Sequence, residues 1–135
     1  FRLCGIVKQP DISGEWQAEF RSSYDDYKKV YPSSAFVKQN WSNVCIKLDN
    51  EKSHSISEVA DIIMDGSGTS WLIYTYQNNP YPDAVETMHP HTGTCRLAIK
   101  KDCIEGEYYT GRGRKTDGTL KLVRAASSKK EDGNE

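Results

Sequence analysis

Hydrophobic and polar residues alternate with a period of two along most of this chain. From position 12 to 20, Gly14, Trp16, Ala18 and Phe20 fall on one face and Glu15, Gln17 and Glu19 on the other, the pattern of a strand with one buried side. Val44, Ile46 and Leu48 alternate with Cys45 and Lys47. Residues 55–64 read as a further strand that closes at Asp65-Gly66-Ser67-Gly68. Residues 71–77, Trp-Leu-Ile-Tyr-Thr-Tyr-Gln, are the strongest β-former, rich in aromatic and branched side chains, and they stop at a loop over 78–83. Residues 85–89 read as a short strand broken at Pro90. Strands over 94–100 and 103–110 follow, and Asp117-Gly118 leads into a last one over 119–124. The stretch 24–32 fits either a loop or a short helical excursion. Seven or eight short strands with no long amphipathic helix predict an all-β domain, a sandwich or a closed barrel. Closure removes the sheet edges that would otherwise aggregate, and a barrel of about eight strands can hold one small ligand.

The 135 residues suit one domain. We expect the barrel over 12–124, with 1–11 as a stub and 125–135, small and charged, as a disordered tail. Eighteen basic residues against nineteen acidic ones give a net charge of -1, so no global field draws the chain to nucleic acid or membrane. Any attraction to a polyanion must therefore be local. Cys4, Cys45, Cys95 and Cys103 have neither metal nor disulfide-framework spacing, and are expected to be reduced thiols. His89-Pro90-His91 meets no zinc spacing. No segment reaches the roughly 20 apolar residues of a membrane span, although the apolar run at 1–7 fits either an ordinary strand or the last turns of a missing membrane segment.

The richest chemistry lies in 105–116, Glu-Gly-Glu-Tyr-Tyr-Thr-Gly-Arg-Gly-Arg-Lys-Thr. If this stretch continues as an extended strand, Tyr108, Thr110, Arg112 and Arg114 share a face, with Glu107 and Tyr109 opposite. A phosphodiester ligand requires such a set: guanidinium forks for phosphate and a ring for a base. Between 112 and 124 five basic residues, Lys115 among them, face one acid, Asp117, a local excess of four positive charges. The same charges also suit a solvated edge that discourages strand pairing. Tyr74 and Tyr76 share a face ahead of the amides Gln77, Asn78 and Asn79, a set that suits a nucleobase edge and equally a filled barrel mouth. Trp16, Trp41 and Trp71 are expected in the core, with Gly14-x-Trp16 as a barrel-closing plug. Glu105 and Glu107 could imitate an acid/base pair but read better as a solvent face, and no catalytic motif accompanies them.

Four stretches carry a family resemblance: Ile12-Ser-Gly-Glu-Trp16, Leu72-Ile-Tyr-Thr-Tyr-Gln-Asn-Asn-Pro80, His91-Thr-Gly-Thr-Cys-Arg-Leu97 and the run from Ile104 to Gly118. In these the chain resembles the β-barrel domain of effectors of cyclic-oligonucleotide-based anti-phage signalling (CBASS), which join two N-terminal transmembrane helices to a strand-rich sensor. The resemblance implies a compact, cyclophilin-like barrel without isomerase activity, no cofactor, and a cyclic dinucleotide ligand made by a partner CD-NTase. It further implies that binding drives homo-oligomerisation and disruption of the bacterial inner membrane, with the barrel in the cytoplasm. Residues 1–7 would then be the stub of the second helix. On this basis the expected ligand contacts are Arg112 and Arg114 to phosphates, Tyr76 with Tyr108 or Tyr109 to bases, and Asn78, Thr110 and Lys115 as polar contacts. The rival readings are a lipocalin-like carrier of a small apolar ligand, resting on Gly14-x-Trp16, and an enzyme using the carboxylates or histidines.

Overall fold

The computed structural model describes residues 10–82, 90–111 and 116–125. Eight strands appear in chain order: β1 Gly14–Ser22, β2 Tyr31–Gln39, β3 Val44–Asp49, β4 Ser53–Met64, β5 Ser70–Pro80, β6 His91–Ile99, β7 Cys103–Thr110 and β8 Asp117–Arg124. Each pairs antiparallel with the next, and β8 returns to β1 to close the barrel. A single 3-10 turn, Ser23–Asp25, enters the stretch 24–32, and β2 takes its last two residues, Tyr31 and Pro32. Residues 85–89 lie outside the described residues.

The inward set is the one the alternation predicts. Trp16 and Ala18 on β1, Ile46 and Leu48 on β3, and Leu72, Tyr74 and Tyr76 on β5 are buried, and their sequence neighbours face out or lie half-buried. Ile46, Leu72, Leu97, Ile104, Leu120 and Leu122 fill the middle of the barrel, so the apolar cavity that a carrier needs is occupied by side chains. The β3–β4 ladder is short: it pairs only Lys47, Leu48 and Asp49 with Ile56, Ser55 and His54. A bulge between Ser57 and Val59 then bends β4, as an extra residue in one strand does.

The two ends of the barrel differ. At one end β1 begins and β8 stops, and a plug seals it. Ile12 is buried there, and its N–H donates to Gln39 Oε1 (2.9 Å). Trp16 Nε1 donates to the Ile12 carbonyl (2.9 Å), and the Arg124 guanidinium lies 4.2 Å from the Trp16 ring centre. Arg124 also donates to the carbonyls of Ser13 (2.5 Å) and Asp11 (3.0 Å). Gly14 takes φ 113° to start the strand beside it. The expected plug at Gly14-x-Trp16 is therefore present. Arg124→Ala removes a cation–π contact and two hydrogen bonds to carbonyls, and should cost about 1–2 kcal/mol, read as a fall of several degrees in the melting temperature.

The other two tryptophans are not core. Trp41 is 92% exposed in the β2–β3 turn. Trp71 points outward, half-buried beneath Arg96, whose guanidinium stacks 4.0 Å from the ring centre, and its Nε1 donates to Asp65 (2.9 Å). Trp71 is placed by the alternation itself, because Leu72 and Tyr74 take the inward positions. Trp41 lies in a turn, where no sheet covers it.

Cys45, Cys95 and Cys103 are free thiols, and Cys4 lies outside the described residues. Burial pushes the Cys95 thiol up to about 12, the neighbouring Tyr74 hydroxyl opposing this in part. Burial also raises Tyr74 well above the usual phenol range. An acid whose folded pKa is raised stabilises the fold below its unfolded pKa and loses that contribution as pH climbs toward the folded value. The melting temperature should therefore fall as pH rises above about 9, the ordinary thiol range, and Cys95→Ala should flatten the fall. Iodoacetamide should label Cys45 and Cys103 and spare Cys95.

Candidate functional site

At the end opposite the plug the barrel interior turns polar. Ser22, Ser53 and Ser55, the buried polar residues among those described, all lie in this half, as do the inward-facing Tyr76, Asn78, His91, Tyr108 and Thr110. A barrel that merely needed filling would continue its leucines upward, since each buried hydroxyl or amide without a partner costs free energy.

Two tyrosines form the floor of this mouth, each laid across a glycine of the next strand. Tyr76 pairs with Gly93, and a side chain at Gly93 would strike the Tyr76 ring. Tyr108 pairs with Gly118 in the same way. Tyr76 also meets His91 edge-on at 6.4 Å and Tyr74 at 6.1 Å, while Tyr108 meets Phe20 edge-on at 5.6 Å. Beside Tyr76, Asn78 Nδ2 donates to Ser53 Oγ (3.2 Å), and Asn78 Oδ1 is buried without a partner. Asp25, over the same end, accepts from Tyr31 OH at Oδ2 (2.8 Å) and keeps Oδ1 buried without a partner. Asp26 and Tyr27 follow it with φ 59° and 64°, left-handed conformations that cost energy in residues other than glycine. Asp25 and its strained neighbours carry no motif in the sequence, and only the fold reveals them.

The remaining predicted contacts sort clearly. Tyr109 faces outward, 48% exposed, and donates to Glu107 (2.5 Å), which raises its phenol. Of the two tyrosines considered, Tyr108 is the one in the mouth. Thr110 ends β7: its N–H donates to the Thr116 carbonyl (2.9 Å), and Thr116 N–H donates to Thr110 Oγ1 (2.7 Å). β7 thus ends at Thr110, as the sequence reading of a strand over 103–110 has it. Arg112, Arg114 and Lys115 lie outside the described residues. The flanking Gly111 and Thr116 stand at the polar end, Gly111 N–H donating to the Thr92 carbonyl (2.6 Å).

Glu105 and Glu107 do not form an acid/base pair. Glu105 holds Lys100 at 2.6 Å, and that contact keeps its carboxyl below the usual range. Glu107 is tied to Tyr109 on the outer wall. Among the described residues, no three His, Cys, Asp or Glu side chains come together as a metal site. A separate depression of about 630 Å³ crosses the outer wall of β1–β4, lined by Glu15, Phe36, Lys47, Asp49, His54 and Tyr81. Its two carboxylates against one lysine disfavour a dianionic ligand, so the polar mouth remains the candidate.

Comparison with known families decides the lineage. Residues 7–124 match the family model described as Cap15, cyclic dinucleotide receptor domain. This chain belongs to that family. It is 37% identical over 117 residues to CD-NTase-associated protein 15 of Staphylococcus schleiferi and 30% identical over 117 residues to the protein of that name from Yersinia aleksiciae. Those alignments take in 85% of this chain but 61% and 55% of the relatives, so the chain spans little more than half their length. The Cap15 receptor domain is thus the barrel domain of a CBASS effector. None of its described helices is long and apolar enough to cross a membrane.

Proposed function

We propose that this Cap15 domain binds a cyclic dinucleotide in the polar mouth, and that binding drives the longer protein to assemble and disrupt the inner membrane. The observation that carries the site is the change of interior chemistry along one barrel, from a sealed apolar plug to a half-polar mouth with two tyrosine–glycine platforms and buried acceptors without partners. A cyclic dinucleotide presents two base planes, base N–H donors and two phosphate charges. Tyr76 and Tyr108 take the bases, whose stacking is worth about 1–3 kcal/mol each. Asn78 Oδ1 accepts from a base N–H, which relieves the cost of leaving a buried acceptor unpaired. Arg112 and Arg114, with Lys115 beside them in sequence, take the phosphates, and Thr110 adds a polar contact. Guanidinium forks suit phosphate oxygens better than a lysine point charge does.

Isothermal titration of the domain with cyclic di-AMP, cyclic di-GMP, cyclic di-UMP and cyclic GMP–AMP tests this, with linear dinucleotides as controls. At least one cyclic species should bind and raise the melting temperature by several degrees, since ligand at about 100 times its Kd adds about 2.7 kcal/mol. Arg112→Ala and Arg114→Ala should each cost tenfold or more in affinity, in line with about 1.5–3 kcal/mol for a charged hydrogen bond. Binding by linear and cyclic species alike, or no dependence on either arginine, would refute the clamp. In the longer protein, ligand should enlarge the sedimenting species and release dye from inverted membrane vesicles.

A further inference from the structure

Each tyrosine platform of the mouth has a buried, unpaired acceptor beside it. On the Tyr76 side it is Asn78 Oδ1, two residues further along β5. On the Tyr108 side it is Asp25 Oδ1, and the strand register sets it there. Tyr108 of β7 pairs with Gly118 of β8, and Gly118 pairs with Ser22, the last residue of β1. Tyr108 reaches across that glycine, its hydroxyl donating to the Arg21 carbonyl (3.4 Å) and its ring meeting Phe20 edge-on. Asp25 stands three residues beyond Ser22. Tyr31, the cross-strand partner of Phe20, holds it on that side by donating to Oδ2 (2.8 Å). Main-chain bonds fix the turn that carries it: Asp26 N–H donates to the Ser23 carbonyl (3.3 Å), Tyr27 N–H to that of Ser22 (2.8 Å) and Lys28 N–H to that of Asp25 (3.2 Å). One carboxylate oxygen is thus positioned and satisfied. The other is positioned and unpaired, an arrangement that costs free energy until a donor arrives.

We infer that Asp25 reads the base stacked on Tyr108 and selects guanine. A carboxylate only accepts, and its two oxygens match two adjacent donors. Guanine offers that pair on its Watson–Crick edge, N1–H beside the 2-amino group. Adenine offers one donor beside a ring acceptor, and uracil one donor between two carbonyls, so each turns a lone pair toward the carboxylate. Oδ2 keeps lone-pair capacity for the second bond after accepting from Tyr31. The ligand's own charge sharpens the choice. A carboxylate in the mouth repels the phosphates of any cyclic dinucleotide, and only a base that returns two charge-assisted hydrogen bonds outweighs that repulsion. The inference rests on the reading of the mouth as the cyclic dinucleotide site and names one of the two bases.

Isothermal titration of this chain with two matched pairs tests it: cyclic GMP–AMP against cyclic IMP–AMP, and cyclic di-GMP against cyclic di-IMP. Inosine keeps N1–H and lacks only the 2-amino group. Cyclic di-AMP and cyclic di-UMP complete the series. In wild type the guanine species of at least one pair should bind about tenfold or more tightly than its inosine counterpart, as a bidentate base contact discriminates. Asp25→Asn keeps an acceptor for Tyr31 but sets an amide donor against the guanine donors. It should cost guanine species at least about tenfold, close the gap to inosine, and move the preference toward cyclic di-AMP, whose base edge pairs a donor with an acceptor. A damaged fold would lower every affinity together and leave their order unchanged. Equal affinity for guanine and inosine in both wild-type pairs would give Oδ1 to a single donor such as a ribose hydroxyl and overturn the inference, as would an Asp25→Asn protein with the wild-type order of bases. Binding of cyclic di-AMP or cyclic di-UMP with none of the guanine species would also overturn it, while the receptor reading stands. If no cyclic dinucleotide binds, the receptor reading itself fails and the role of Asp25 falls with it.

Discussion

Gly106→Ala should destabilise the barrel by about 3 kcal/mol or more, a loss near 10 °C in melting temperature for a domain of this size. Gly106 faces inward on β7 between Leu97 of β6 and Leu120 of β8. A methyl group there would run into the Arg96 carbonyl and the Leu97 Cα, both backbone. A flexible side chain could swing aside, but a strand held in ladders on both sides cannot, so the penalty exceeds the 1–3 kcal/mol usual for overpacking. Gly66, in the β4–β5 turn, has open space at the same position, and Gly66→Ala should leave the melting temperature within about 2 °C. Thermal unfolding of the pair by circular dichroism is the measurement. A Gly106→Ala protein as stable as wild type would mean that β6 and β7 can separate without penalty.

The contrast between those glycines shows which parts of this fold a reader of the chain can reach. The alternation Trp16/Ala18, Ile46/Leu48 and Leu72/Tyr74/Tyr76 is a local signal, because each side chain's face follows from its neighbours, and it yields the strands, their inward sets and hence the barrel. The plug is legible as well, because Gly14-x-Trp16 is a contiguous motif. Gly106 is not: its demand for emptiness comes from the backbone of Arg96 and Leu97 on the neighbouring strand, directly across the ladder. The mouth is half legible. Tyr76, Asn78, Tyr108 and Thr110 can be named from composition, but choosing Tyr108 over Tyr109 needs the register of β7, and a single bulge would reverse that choice. Alternation predicts a face only while the strand lasts, and β7 lasts to Thr110, the bound that the sequence reading gives. Asp25 lies beyond the reach of pattern altogether, since its unpaired oxygen is a product of how the 3-10 turn folds over Tyr31.

Asn78→Asp should abolish high-affinity ligand binding at neutral pH, by at least about 30-fold, while changing the shape of the mouth hardly at all. The substitution replaces an amide that donates to Ser53 Oγ by a group that, when ionised, only accepts. Ser53 must then turn its O–H to donate to the carboxylate, and a negative charge stands where a dianion must sit. At about 8 Å and an effective dielectric constant near 20, each phosphate would repel that carboxylate by about 2 kcal/mol before salt screening. Both the half-buried setting and the ligand's own charge favour the protonated form, so the carboxyl pKa should rise above its usual value of about 4, and further in the complex. The sign follows from linkage: a variant that must take up a proton to bind will bind better as pH falls. The affinity gap between Asn78→Asp and wild type should therefore narrow from pH 7.5 to about pH 5, because the neutral acid restores a donor toward Ser53. Because His91 is the cross-strand partner of Asn78, the series is repeated in a His91→Gln background, where the same narrowing is expected. A gap that stays constant with pH would assign Asn78 a packing role beside Tyr76, and no gap at all would remove it from the ligand site.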